Sequence, residues 1–406
     1  MAGQPPDGEP MPADGGLPDG SAGRLGEAPF GVYVHVPFCQ TRCGYCDFNT
    51  YTATELGSGA SRESYAALAI AEIRQAGRVL AGRAGPVETV FVGGGTPTLL
   101  PGADLSAILQ AIDAEFGLAP LAEVTTEANP ETVDERTLAD LRAGGFTRIS
   151  LGMQSAVPHV LAVLDRVHSP GRPEQCVGWA RAAGFEHVSL DLIYGTPGES
   201  DADWEVSLDN ALAAGPDHIS AYSLIVEEGT RLAARIRRGE LPLPDDDVLA
   251  DRYLMADDRL GAAGLHWYEV SNWAATQQAE CRHNQLYWTG GDWWGIGPGA
   301  HSHIAGARWW NVRHPAAYAE RLSAGVSPGQ AREILTDAER ATERIMLLTR
   351  LASGCPVAEL SPAGRAAADQ AAFDGLVGKD ALEAGYVRLT TQGRLLADAV
   401  IRGISA

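Results

Sequence analysis

Beyond residue 29 the chain alternates short apolar runs with longer stretches of helical period. "GVYVHV" (31–36), "VETVFVGG" (87–94), "AEVTTEAN" (122–129), "TRISLGMQ" (147–154), "HVSLDLIYG" (187–195) and "HISAYSLI" (218–225) read as strands. Each is short, rich in β-branched residues and bounded by turn formers. Between most of them, apolar residues recur every three or four positions. Tyr65, Leu68, Ala69, Ile73, Ala76 and Leu80 share one face of a helix over 63–82; Leu105, Ile108, Leu109, Ile112 and Phe116 do so over 103–116. Six β-α repeats with buried strands predict an α/β fold over 29–264, a parallel sheet covered by helices, open or barrel-like. Such sheets put their chemistry on the loops leaving the C-terminal strand ends.

The pattern changes elsewhere. Segment 265–330, with "LHWYEVSNW" and "CRHNQLYWTGGDWWGIGPGAHSHIAGARWWN", is dense in Trp, Tyr, His and Gly and reads as a packed β region. Helical period returns in "DAERATERIMLLTRL". A helix, a short hairpin at "YVRLTTQGR" and a terminal helix predict a small winged-helix-like module over 331–406, with the boundary near "GVSPGQ". Residues 1–28, mostly Pro, Gly, Asp and Ala, hold too little apolar surface to offset the entropy of ordering and read as a disordered tail.

The length of 406 residues suits one large domain and a smaller one. No apolar run approaches the roughly 18 residues of a membrane span, and no leader pattern is visible. The expected compartment is the cytoplasm, where closely spaced thiols stay reduced. A net charge of −21 argues against a nucleic-acid partner, which would need a basic surface.

Three of the six cysteines fall in "CQTRCGYCDF", as Cys39, Cys43 and Cys46. One loop can bring three such thiolates to one metal centre. Structural zinc asks for four ligands, usually from two distant pairs, and no second pair exists here. A [4Fe-4S] cluster normally takes four cysteines, so three would leave one iron open to an exchangeable ligand. A coincidental grouping or partial zinc site is the plainer alternative. Other polar residues fall at strand ends: the "VGGGTPT" turn with Gly94, Gly95 and Thr96, then Glu127, Gln154 and Asp191. Asp191, between Leu190 and Leu192, stands out, because a carboxylate within an apolar strand is costly unless paired or facing a wet cavity. A structural hydrogen bond is its alternative, and a surface position is that of Arg166.

The Cys-x3-Cys-x2-Cys spacing, with Tyr45 before the third cysteine, resembles the radical S-adenosylmethionine (SAM) superfamily. The resemblance implies a partial (β/α)6 barrel, a [4Fe-4S] cluster on the three cysteines and SAM at the open iron. By motif match it assigns SAM contacts to Tyr33, Tyr45, Gly94, Gly95, Thr96, Glu127, Gln154, Arg166 and Asp191. From residue 30 onward, "YVHVPFCQTRCGYCDF", "GGGTPT", "GMQS" and "DLIYGTPGES" are similar to one subgroup, that of oxygen-independent coproporphyrinogen III dehydrogenases and heme chaperones. The dehydrogenases carry another cysteine two positions after the third, where this chain has Phe48, and a structured N-terminal extension.

"CRHNQLYW" (281–288) matches the chaperones' His-Asn-x-x-Tyr-Trp motif, which implies heme contact by His283, Asn284, Tyr287 and Trp288. Imidazole is a standard heme ligand. His301 and His303 lie in the same region, so the ligand stays open, as does the choice among Arg282, Arg308 and Arg313 as propionate partners. An aromatic hairpin around a core histidine is the plain alternative. Phe48, the tail and this motif together favour the resemblance to the chaperones, which implies heme delivery to an acceptor protein, a membrane-bound respiratory protein being one candidate; porphyrinogen decarboxylation is the alternative. A cluster-dependent homodimer is a further expectation.

Overall fold

The six predicted strands all form. In a computed structural model describing residues 8–56 and 61–405, they are β1 Phe30–Val36, β2 Val87–Gly94, β3 Leu118–Ala128, β4 Arg148–Gln154, β5 His187–Tyr194 and β6 His218–Ser223. They pair in parallel and in chain order. All seven residues of β4 are buried, as expected of a central strand covered by helices. The first covering helix, Arg62–Leu80, starts at Ser61, whose hydroxyl accepts from Ser64 N, and buries Tyr65, Ala69, Ile73, Ala76 and Leu80. No helix among the described residues is long and apolar enough to cross a membrane.

Segment 265–330 forms no separate β layer. Its strands join both edges of the barrel sheet. β7 His266–Glu269 and β8 Asn272–Ala274 continue it antiparallel beyond β6. β9 Asp292–Ile296 pairs parallel to β1, and β10 His301–Ile304, β11 Ala307–Asn311 and β12 Gly329–Ile334 follow outward. Between β8 and β9 the chain must cross from one edge to the other. There "RHNQLYW" forms a helix, Arg282–Trp288, inside the otherwise β-rich segment. Glu123 explains the start of this helix, since its carboxylate accepts from Arg282 N and His283 N, two of the donors that a helix leaves unpaired. The helix fits against β1 because Gly31 lacks a side chain: a Cβ there would lie 2.6 Å from Leu286.

Two terminal expectations also need correction. Residues 8–28 are placed, while 1–7 lie outside the described residues. Glu9–Pro10 pairs with Ala331 and Arg332 on the outer edge of β12, Ser21 is buried, and Leu17 packs on the barrel core. The composition cannot build a core, but an open sheet edge supplies partners for the backbone. At the other end, "YVRLTTQGR" is no hairpin. Tyr386–Val387 pairs with the distant Cys355–Pro356, and Thr390 caps a new helix, Thr391–Leu395, by accepting from Gly393 N. This module has its own core around Ile345, Leu348, Leu360, Val387 and Ile404. It begins at the Asp337–Leu348 helix, so the expected boundary at 331 falls inside β12.

One buried carboxylate fastens the late strands to the early helix. Glu72, 1% exposed, accepts from Gly297 N (2.8 Å), Tyr318 OH (2.5 Å) and Asn311 Nδ2 (2.7 Å). Burial pushes its pKa up to about 7, against the pull of those three donors. Glu72→Gln turns an amide donor toward existing donors and should cost about 1–3 kcal/mol, read as a lowered unfolding midpoint. Because the folded value lies above the ordinary 4.5, the folded chain holds a proton that the unfolded chain releases. Wild-type stability should therefore fall as pH rises from about 4.5 to 7, with a shallower slope in the Gln variant.

Candidate functional site

The cysteine loop follows β1 and is pinned from both sides. Cys39 N donates to Tyr51 O (3.0 Å), Gly44 N donates to Leu164 O (3.0 Å), and Gly44 O accepts from Leu232 N (2.8 Å). Tyr45 anchors it by packing among Leu164, Ile193, Leu224 and Leu232. Cys39, Cys43 and Cys46 face one cavity of about 800 Å³ at the C-terminal ends of the barrel strands. Burial and the neighbouring sulfurs push up the Cys39 thiol, and push Cys46 up to about 11.

The donor set fits an iron–sulfur cluster: three half-buried thiols on one loop, with a guanidinium beside them. Arg166 Nη1 lies 3.6 Å from Cys43 Sγ. Among the described residues no three ligating side chains already form a closed metal cage. Metal–sulfur bonding would have to draw the protonated thiols together and displace their protons.

Every residue assigned by the superfamily resemblance lines this same cavity. The N–H groups of Gly94, Gly95 and Thr96 are taken by Glu127 Oε2 (3.0 Å), Val36 O (2.8 Å) and Phe38 O (2.7 Å). An incoming ammonium would therefore meet their carbonyl oxygens. Gly95 allows the close approach, since a Cβ would lie 2.4 Å from Phe38 O and 3.1 Å from Cys39 Sγ. Burial and the nearby Asp191 push Glu127 up to about 8. Asp191 is raised by burial and held by Ser150 Oγ at 3.0 and 2.9 Å from its two oxygens. It lines the cavity, and its bond runs to the adjacent strand β4 and not to a loop.

Gln154 ends β4 in the left-handed region (φ 64°), beside a register shift against β5. Strain of this kind re-aims a side chain and persists only where the surroundings enforce it. Here Arg166 Nη2 donates to Gly152 O (2.9 Å) just before the break. Tyr33 OH bonds His35 Nδ1 (3.0 Å), and its ring stacks on Phe91.

Sequence reasoning missed the cavity floor. Arg148 is 1% exposed; its Nη1 donates to Ala279 O (2.6 Å) and lies 3.9 Å from Glu123, while Nη2 has no hydrogen-bond partner among the described residues. A charge within "TRISLGMQ" carries the same signal as Asp191, but at a strand's start it passes for a turn residue.

The four motif residues separate. His283 is 1% exposed, with Nδ1 2.8 Å from Thr89 Oγ1 and Nε2 2.8 Å from Tyr287 OH, and burial pushes it down to about 3. It is a buried histidine at the wall of the cysteine cavity with both ring nitrogens hydrogen-bonded. Asn284 reaches Glu269 (3.4 Å) at the cavity edge, and Trp288 packs into the C-terminal core, lining neither main cavity. Tyr287 alone lines both the cysteine cavity and a second one of about 490 Å³.

Reconstitution with iron and sulfide checks the thiol assignment. Cys43→Ala should reduce bound iron to background, whereas Cys176→Ala, altering a buried cysteine remote from the loop, should retain it. Gly95→Ala should also lower iron content, because its Cβ displaces the backbone leading into Cys39.

Comparison with known proteins places this geometry in a lineage. A family model described as the radical SAM superfamily matches residues 33–211. The heme chaperone HemW of Mycobacterium tuberculosis (strain ATCC 25618 / H37Rv) is 55% identical over 374 residues, covering 92% of this chain and 94% of the relative. The heme chaperone HemW of Bacillus subtilis (strain 168) is 32% identical over 381 residues, covering 91% and 97%. Among solved structures, the coproporphyrinogen III oxidase HemN from Escherichia coli, a radical SAM enzyme, matches with a TM-score of 0.80. It is 22% identical and covers 95% of this chain and 92% of that one, a likeness that establishes the fold. With near-complete coverage at 55% identity, the chain belongs to the HemW family within the radical SAM superfamily.

Proposed function

We propose that this chain is a heme chaperone, binding heme and passing it to an acceptor protein, with a [4Fe-4S] cluster on Cys39, Cys43 and Cys46 and SAM at the open iron. The observation that carries this reading is the 55% identity to HemW over 92% of the chain. Phe48 supports it over porphyrinogen decarboxylation. Where the dehydrogenases have a further cysteine, this side chain is 59% exposed and lines both cavities. The cytoplasm as compartment, a respiratory acceptor at the membrane and a cluster-dependent homodimer belong to the same proposal.

When bound, the cluster supplies one-electron chemistry to SAM. The chain's own residues bind and orient the ligand. Arg166 offers a cation for a carboxylate and balances thiolate charge beside Cys43. Glu127 and Asp191 offer acceptors for hydroxyl or ammonium donors, with Thr96 and the carbonyls of Gly94 and Gly95 alongside. Gln154 adds an amide, and Tyr33 stacked on Phe91 gives an apolar wall. Tyr45 acts by holding the loop.

Heme titration and a coproporphyrinogen assay on one anaerobically reconstituted sample test the function. Equimolar heme binding without protoporphyrinogen is expected, and accumulation of protoporphyrinogen would overturn it. SAM binding tests the acidic pair. Glu127, pushed up to about 8, is mostly neutral at pH 7 and resembles Gln; above pH 8 it is ionised and attracts the cationic ligand. Wild-type affinity relative to Glu127→Gln should therefore grow from pH 7 to 9, measured by equilibrium dialysis; a constant ratio would remove Glu127 from the site.

A further inference from the structure

The second cavity has a chemistry that neither the cysteine site nor the "HNQLYW" helix explains. Its walls are largely aromatic: Phe48, Tyr287, Trp293 and Trp310. Its volume of about 490 Å³ falls in the range of sites for a medium-sized organic ligand. Three histidines, His35, His301 and His303, and two arginines, Arg308 and Arg313, also line it, and both ring nitrogens of His35 are taken, by Tyr33 OH and Asn49 O.

His303 is arranged as a metal ligand would be. Its Nδ1 lies 3.0 Å from Gly291 O, and a carbonyl can only accept, so Nδ1 carries the proton. Asp292 Oδ1, 3.8 Å away, favours the same tautomer. Nε2 is then a lone-pair donor without a hydrogen bond among the described residues. Fixing one ring nitrogen by a carbonyl or carboxylate and leaving the other free is the arrangement typical of iron- and zinc-binding imidazoles. The ring is steadied by Trp293, with centroids 5.1 Å apart. His301 stacks on Trp310 at the exposed rim, and among the described residues neither of its nitrogens is oriented by a hydrogen bond.

The two arginines differ. Arg308 is committed to Glu333 (2.8 Å) and to Glu343 (2.5 Å) of the helix Asp337–Leu348. The half-buried Arg313 side chain has no hydrogen-bond or salt-bridge partner among the described residues. A guanidinium with no partner of its own beside an apolar cavity suits a ligand carboxylate.

We infer that this cavity is the heme site, with His303 Nε2 as the iron ligand and Arg313 as the partner of a heme carboxylate. The inference rests on the heme-chaperone reading and adds the site to it.

The test is titration of the reconstituted full-length protein with ferric heme, followed by its absorption spectrum. Wild type should reach an equimolar end point with a histidine-ligated spectrum. His303→Ala should bind at least about tenfold more weakly and lose that spectrum, and added imidazole should restore it together with the equimolar end point against protein, which heme and imidazole without protein cannot give. Arg313→Ala should weaken binding of heme but leave that of its dimethyl ester unchanged. His301→Ala should stay close to wild type. Unchanged affinity and spectrum in His303→Ala would overturn the site while leaving the chaperone reading intact, as would loss of the spectrum in His301→Ala alone. Failure of wild type to bind heme would overturn the chaperone reading, and the site with it.

Discussion

A carboxylate sealed from water holds the later part of the sheet to the earlier part. Glu72 belongs to the inward face of a helix next to β1, yet all three of its donors come from residues more than two hundred positions later. Burying a charge without partners would be prohibitive. With three donors it becomes a constraint that the turn after β9, the Asn311 side chain and Tyr318 must satisfy together. Because the second cavity is built from that turn and from β10 and β11, its shape depends on this contact.

The same region is tied to the cysteine loop by a second set of bonds. Asn49 Nδ2 donates to Pro298 O (2.9 Å) and Arg313 O (2.8 Å), and Asn49 O lies 2.9 Å from His35 Nε2. That carbonyl assigns the His35 proton to Nε2, so Nδ1 accepts from Tyr33 OH; burial, pushing His35 down to about 4, keeps it neutral. Tyr33, Phe48 and Tyr287 are walls of both cavities. A shift of the loop that carries the three thiols therefore cannot leave the aromatic cavity unchanged. The two cavities thus share walls and a hydrogen-bonded loop.

The barrel was legible because buried parallel strands announce themselves as apolar runs, and intervening helices as a regular period. Asp191 and Glu127 were legible for the converse reason: a charge in such a run needs a cavity or a partner, and both have each. The tail misled because its composition speaks only to whether it can form a core, and an open edge on β12 supplied what it lacked. The helix at "HNQLYW" was not legible because aromatic density suits a strand, while a helix start depends on Glu123, a residue about 160 positions away.

By itself the sequence determined the six strands, the three-thiol loop and the polar strand ends, since these rest on local period and spacing. Which histidine has a free nitrogen was decided only in three dimensions. His283 and His303 are alike as letters, but Thr89 and Tyr287 take both nitrogens of the first, and Gly291 takes one nitrogen of the second. A lone pair is available only where folding leaves it unpaired, and that is settled by neighbours distant in the chain.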